Sequence, residues 1–431
     1  MALAPSLSVF RHRPYLHYWI ARVLIAGARQ MATVAIAWQV YDTARLPVAE
    51  GGLGYDEPAA AFLIGMVGLA QFIPVFFLSL IGGQAADRLD RKAILIVCQT
   101  IRLAGLAALF ASDFMPAAPA LQTLFAVSVL FGAVNAFTPA ASGALFPTLV
   151  PRAELPNAIA WNSLGYQIAA ISGPAIGGLL LFYGEATVYG TSIAMLIACL
   201  IALITMVTPE HVKQAGARGW SMVMDGLRYV GQNKIVLGAI SLDLVVVFFA
   251  GSVALLPVFA RDILNVGEQG YGILRAAPAV GAAAVAVVLA TRPLTANVGR
   301  WMFGAVALFG VAILVFGLSK IFWLSLIALV IHGGADMISV FVRQSLIQLA
   351  TPDAMKGRVS SVSFIFISAS NELGEFQSGV AARVLGPIGA VMLGGTVAIV
   401  ASGLWMKLFP QLARADAFEG IEEQGISSAK A

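Results

Sequence analysis

Long apolar runs separated by short polar ones dominate the chain. Twelve can be marked off, at about 15–42, 58–83, 92–112, 119–147, 156–183, 187–208, 235–260, 270–290, 301–319, 321–349, 358–383 and 387–408. They are long, unbroken and rich in Ala, Leu, Val and Gly, which argues against strands. A helix of about 20 apolar residues crosses a bilayer. In lipid a helix also satisfies its own backbone groups. The pattern therefore predicts an all-α membrane protein with twelve spanning helices. The first run carries Arg22 and Arg29 and is too long for a signal-peptide core, so it is read as a retained helix. Two polar stretches stand out, 209–234 and 409–431. In the first, Trp220, Met222, Met224, Leu227 and Tyr229 alternate with polar residues, as in a short amphipathic helix on a membrane surface. The second holds Glu419, Glu422 and Glu423 and is expected to be a disordered tail. The expected organisation is a six-helix bundle over 1–208, a linker over 209–234, a second bundle over 235–408 and a tail over 409–431.

Composition sharpens this. Of 431 residues, 59% are hydrophobic and 11% charged, with a mean hydropathy of +0.88. Soluble domains run at about 45–50% apolar and about 25% charged. So few charges cannot cover a soluble enzyme of this size, and disordered and nucleic-acid-binding classes are excluded with it. The basic pI of 9.1 has a topological origin. With the N-terminus, even-numbered loops and C-terminal tail on one side, that side holds 17 of the 26 Lys and Arg residues. The other side holds 4, and 5 lie within the spans. Positive charge collects in the cytoplasm, so both termini are expected there. Cys98 and Cys199 lie inside apolar runs, and His12, His17, His211 and His332 are scattered. No disulfide framework, metal site, nucleotide loop or nucleophile–base pair is indicated, so neither an enzyme nor a cofactor is expected.

The halves resemble each other at an offset of 201 residues. Gly132 and Asn135 align with Gly333 and Asp336, Leu145 with Leu346, and Pro151 with Pro352. Gly173-Pro-x-x-Gly177-Gly178 aligns with Gly374-Glu-x-x-Ser378-Gly379. A six-plus-six duplication is a transporter architecture, in which two bundles rock about a midplane site.

After the second span comes Gly83-Gln-Ala-Ala-Asp87-Arg88-Leu-Asp90-Arg91-Lys92. Gly83 permits a turn and close helix approach, Asp90 can cap the next helix, and Asp87 can sit by a helix N-terminus. This G-x-x-x-D-R-x-x-R-K loop resembles the one that the major facilitator superfamily places between its second and third helices. Trp38-Gln-Val-Tyr41-Asp42-Thr43, Thr351-Pro352-Asp-Ala-Met355-Lys-Gly357-Arg358-Val359 and Ser370-Asn371-Glu372-Leu-Gly374-Glu375 resemble one bacterial branch. That branch is the enterobactin-exporter-like and macrolide-efflux-like (transmembrane secretion effector) carriers. The resemblance implies two six-helix bundles, export from the cytoplasm and proton coupling. Gly173, Pro174, Gly177 and Gly178 resemble the antiporter motif of exporters in this superfamily, although Ala160 and Ala169 stand where that motif has glycines. Physically, Pro174 removes a backbone donor and the glycines admit a neighbouring helix.

Ionisable groups inside a membrane are costly and point to function. Nine are found: Arg22, Arg29, Arg102, Arg275, Arg343, Asp243, Asp336, Glu372 and Glu375. Arg22 and Arg29 share a face, as do His332, Asp336 and Arg343, while Glu372 and Glu375 are three apart. A neighbouring carboxylate and burial both tune a carboxyl group's titration. Asp336 and Glu372, then Glu375, are therefore the expected proton-coupling groups. Arg29 is a countercharge or a holder of an anionic cargo. The alternative is static ion pairs, for instance Asp243 with Arg343. Asn135, Trp161, Asn162, Tyr166 and Gln167 lie on spans that line the cavity in this superfamily, where span three, with Arg102, is peripheral. Phe248, Phe249, Phe341, Phe364 and Asn371 add aromatic surface, which suits a small amphipathic cargo or ordinary packing. The expected partners are that cargo, protons and the bilayer. No nucleic acid is expected, and the chain is expected to act as a monomer.

Overall fold

The computed structural model describes residues 7–208, 219–292, 294 and 296–414. Among these, eleven helical stretches are long and apolar enough to cross a membrane. The last, Ala369–Leu408, has 40 residues. At 1.5 Å per residue it measures about 60 Å, twice the roughly 30 Å hydrocarbon core. It lies in α13 (Asp353–Leu408), which is broken at Gly386, where φ is 75° and ψ is 162°. Only glycine takes this backbone conformation readily, and Pro387 after it cannot supply the helical N–H. The stretch is thus two spans, giving the twelve that the hydrophobic pattern predicts.

Two compact units form, Met1–Tyr55 with Ala70–Ala217, and Asp56–Leu69 with Arg218–Ala431. In the first, α1 (Arg13–Arg45) packs on α5 (Leu155–Leu181) and α6 (Glu185–Thr205), while α3 (Arg91–Ser112) packs on α4 (Ala117–Leu145) and α6. The long α2 (Glu57–Arg88) begins in the second unit and ends in the first. In the second unit, α12 (Phe322–Ala350) packs on α10 (Gly267–Thr291) and α11 (Val298–Leu318), and α13 packs on α8 (Lys234–Phe249) and α11.

The internal repeat reappears in the contacts each unit makes. Gly132 on α4 meets the backbone carbonyl of Gln71 on α2, and Gly333 on α12 meets that of Pro278 on α10. Gly173 and Gly177 on α5 press on Gln30 and Met31 of α1, where a Cβ would lie 2.6 and 2.9 Å from them. Gly374 on α13 presses in the same way on the carbonyl of Val247 on α8, at 2.7 Å. Aligned glycines therefore make equivalent close approaches in both halves. Gly333→Leu should cost about 3 kcal/mol or more, because the added carbons strike backbone that cannot swing away. A lower melting temperature in detergent checks this, with Gly304→Leu, whose Cβ meets open space, as the unaffected control.

Three boundaries differ from the sequence pattern. The linker helix α7 (Gly219–Gln232) docks on its own unit. The Tyr229 hydroxyl donates to the Ala350 carbonyl at 2.6 Å, and Asp225 pairs with Arg358 at 3.1 Å. Met224 and Leu227 remain exposed on it, while residues 209–218 and the side chains of Trp220 and Met222 lie outside the described residues. The tail does not begin as a free segment. Phe409 packs on Gly238, and Leu412 in α14 (Pro410–Ala413) is fully buried. The apolar side chains of Phe409 and Leu412 explain this, and 415–431 lie outside the described residues. Finally, α8 stops at Phe249, and the seventh span continues through a 3-10 turn at Ser252–Leu255, α9 (Leu256–Val258) and a π turn at Phe259–Ile263. Irregular backbone at membrane depth is tolerated where it borders a cavity, and this one does.

Candidate functional site

The second unit encloses a cavity of about 250 Å³, bordered by α8, α10, α11, α12 and α13 and by the break after α8. Ala250, Gly251, Val253 and Ala254 of that break form part of its wall. Asp243, Arg275, Asp336, Arg343 and Glu375 reach it, with His332 and Asn371. Five of the nine expected intramembrane charges are thus gathered in one place.

Asp336 is the middle residue of the 29-residue α12. It lies deep in the unit, yet its side chain is accessible from the cavity. Among the described residues it has no ion-pair or hydrogen-bond partner. One turn earlier, the His332 ring lies 4.2 Å from the Phe309 ring, centroid to centroid, and its buried Nδ1 has no hydrogen-bond partner among the described residues. The Nε of Arg275 is likewise buried without one. Orphaned polar atoms around a cavity are uncommon and call for an explanation, such as water or a ligand.

Asp243 and Arg343 are joined in an ion pair, each less than 10% exposed. Of the two glutamates on α13, only Glu375 lines the cavity, together with Asn371 one turn before it. Glu372 lies off the wall, and its carbonyl backs onto Gly68. Residues three apart differ by about 60° around a helix, enough here to separate the two carboxylates. Phe248 and Phe249 stack edge-on at 4.9 Å. The Phe364 side chain lies outside the described residues.

The remaining charges belong to the first unit. Arg22 donates to Ser142 Oγ at 3.0 Å and lies over the Tyr166 ring, and Ser142 also bonds Tyr18 at 2.6 Å. Arg29, half-buried two turns along α1, has no ion-pair partner among the described residues. Arg102 departs most from expectation. It is 2% exposed, not peripheral, because its face of α3 turns toward α4. Its guanidinium donates to Asn135 Oδ1 at 2.8 Å and sits 5.5 Å over the Phe131 ring. Its Nε and Nη1 have no hydrogen-bond partner among the described residues. Trp161 joins Trp19 and Phe10 in an aromatic cluster rather than a polar one.

The charged loop after α2 is a set of helix caps. Asp90 caps α3 by accepting from the Lys92 N–H at 3.0 Å. Lys92 donates to the Ile204 and Met206 carbonyls at the end of α6, and Arg91 to the Ala86 and Ala144 carbonyls at the ends of α2 and α4. Cations on terminal carbonyls satisfy orphaned acceptors and the helix dipole together. Asp87 and Arg88 are exposed. The close approach expected of Gly83 is made by its neighbour. A Cβ at Gly83 meets open space, whereas Gly82 abuts the Ala136 carbonyl. Gly178 is buried, and α5 runs on through Pro174 without a break.

Comparison with known proteins agrees with this architecture. The family described as "transmembrane secretion effector" matches residues 4–424. The enterobactin exporter EntS of Shigella boydii serotype 18 (strain CDC 3083-94 / BS512) is 26% identical over 330 residues, which is 76% of each chain. EntS of Escherichia coli O81 (strain ED1a) is 27% identical over the same length. A crystal structure of a D-xylose–proton symporter shares the fold, with a TM-score of 0.68 at 13% identity, covering 93% of this chain and 98% of that one. With twelve spans, two units built on one pattern and a charged intramembrane cavity, the chain belongs to the transmembrane secretion effector family of the major facilitator superfamily, and it is a multi-pass membrane transporter, not an enzyme.

Proposed function

We propose that the protein is a proton-driven exporter of a small amphipathic molecule. The bundles over 1–208 and 235–408, joined by the linker over 209–234, alternate access to opposite sides of the membrane. Both termini, with the tail over 409–431, face the cytoplasm from a bacterial inner membrane, and one chain suffices because the repeat supplies both halves of the pathway. The observation carrying this reading is Asp336, an accessible carboxylate without a partner among the described residues, deep in a membrane-spanning unit. A carboxyl group so placed can hold a proton in one state of the cycle and release it in another. Glu375 of α13, which lines the same cavity, is the second station, and the motif glycines of α5 and loop caps of α2–α3 keep the helices movable as rigid bodies. The sequence similarity to enterobactin exporters supports the outward direction.

Uptake into inverted membrane vesicles tests this. A labelled panel of a catecholate siderophore, a macrolide, a cationic dye and a lysophospholipid is offered with and without a protonophore. The expected result is accumulation of one cargo, abolished by the protonophore. Accumulation that the protonophore leaves intact would overturn proton coupling, and uptake only by right-side-out vesicles would make the protein an importer.

A further inference from the structure

Away from the ends of its helices, the first unit carries three arginines, Arg22, Arg29 and Arg102, while its helical acidic residues Asp42, Asp87 and Glu185 all lie within a turn of a helix end. At corresponding depth the second carries four carboxylates, Asp243, Asp336, Glu372 and Glu375, beside Arg275 and Arg343. The middle of the first unit is therefore electropositive, with no carboxylate of its own helices at that depth. Its three cations are also in different situations. Arg22 is engaged by Ser142 and the Tyr166 face. Arg102 is sealed in, 2% exposed, with two of its three nitrogens lacking a hydrogen-bond partner among the described residues. Arg29 is half-buried and has no ion-pair partner among the described residues. It lies two turns along α1 from Arg22 as Asn135 lies two turns back along α4 from Ser142, so the Arg22–Ser142 bond sets Arg29 and Asn135 at one level of two oppositely directed spans.

Asn135 is the link. A guanidinium only donates, so the atom facing Arg102 must be the amide oxygen. The contact at 2.8 Å therefore fixes the amide, with its NH₂ turned away from Arg102. That NH₂ makes no hydrogen bond among the described residues, and Asn135 is only partly buried. A fixed pair of neutral donors, an accessible guanidinium and a second positive charge behind them make a receptor for an anion. The same position in the repeat carries Asp336, so the two halves present opposite chemistry at equivalent points.

We infer that the first unit holds an anion site, formed by Arg29 and the Asn135 amide and positioned from behind by Arg102, for a carboxylate-class acidic group on the cargo. This rests on the transporter reading and narrows its cargo to amphipathic acids. Arg29 and Asn135 touch the acid. Arg102 is a positioning residue that acts through Asn135.

The test is equilibrium binding to the purified full-length protein in detergent. Three probes of matched shape are used: 2-naphthoate, 2-naphthylmethanol and 2-naphthylmethylammonium. Wild type is expected to bind the carboxylate at least about tenfold tighter than the alcohol, as a charged hydrogen bond predicts, and the ammonium most weakly. The preference should weaken as salt rises. Arg29→Gln should abolish it and Arg29→Lys should keep most of it. Arg102→Gln should reduce the carboxylate-to-alcohol ratio and Arg102→Lys, which keeps a cationic donor for the Asn135 oxygen, should restore most of it, a rescue that a merely structural role would not show. Equal binding of carboxylate and alcohol by wild type, no binding of the carboxylate at millimolar concentration, or a preference surviving in Arg29→Gln would overturn the inference. None of these readouts needs transport, so loss of proton-driven uptake with the preference intact would refute the coupling and leave the anion site standing.

Discussion

Arg343→Leu is expected to destabilise the second unit by about 3–5 kcal/mol, because it strands the Asp243 carboxylate inside the protein. Asp243 is 8% exposed and Arg343 7%, so water from the cavity replaces the lost partner only in part. Asp243→Leu should do comparable harm by stranding the guanidinium. The double variant Asp243→Asn, Arg343→Met should recover most of the loss, since removing both charges of a buried pair is often neutral. Thermal melting in detergent, with gel filtration to score monodisperse protein, reads all three. The transport assay then assigns the pair a role. We expect the double variant to keep protonophore-sensitive accumulation within about threefold of wild type, as a static lock between α8 and α12 would. A folded double variant with no accumulation would place the pair on the proton path. Equal stability of the single and double variants would mean that the two groups are not energetically coupled.

Much of this architecture is legible in the sequence for a simple reason. Lipid allows only self-satisfied helices, so the apolar runs are the spans, and the break at Gly386–Pro387 appears as a gap between runs. The duplication is legible because aligned glycines solve the same packing problem twice, Gly132 on α2 and Gly333 on α10. What a linear reading misses is rotation about helix axes. Glu372 and Glu375 look equivalent at a spacing of three, yet only Glu375 reaches the cavity. Arg102 looks peripheral because its helix is peripheral in this superfamily, but the side chain turns inward to Asn135. Gly82 and Gly83 are adjacent, and a rotation of about 100° decides which of them touches α4. The docked start of the tail escapes a linear reading for a different reason. Polar composition over 409–431 averages away Phe409 and Leu412, two residues that suffice to dock it.

Asp336→Asn is the substitution with the largest expected effect on activity. It keeps the shape and polarity of the cavity wall but cannot carry a proton. Cargo accumulation against a gradient should fall by about 100-fold or more. Exchange of labelled for unlabelled cargo across the membrane, which needs no net proton movement, should persist within about threefold. That split separates a coupling group from a cargo ligand or a packing residue, because loss of either of the latter would slow exchange as well. Glu375→Gln should reduce accumulation less, since Asp336 remains as the deeper station of the same cavity. Glu372→Gln is predicted to be near neutral, because the side chain lies off the cavity. Accumulation retained in Asp336→Asn and lost in Glu372→Gln would move the coupling site off α12 and onto α13. Loss of exchange together with accumulation in Asp336→Asn, with its melting temperature unchanged, would instead make Asp336 a cargo-binding residue, and the proton would have to travel by another route.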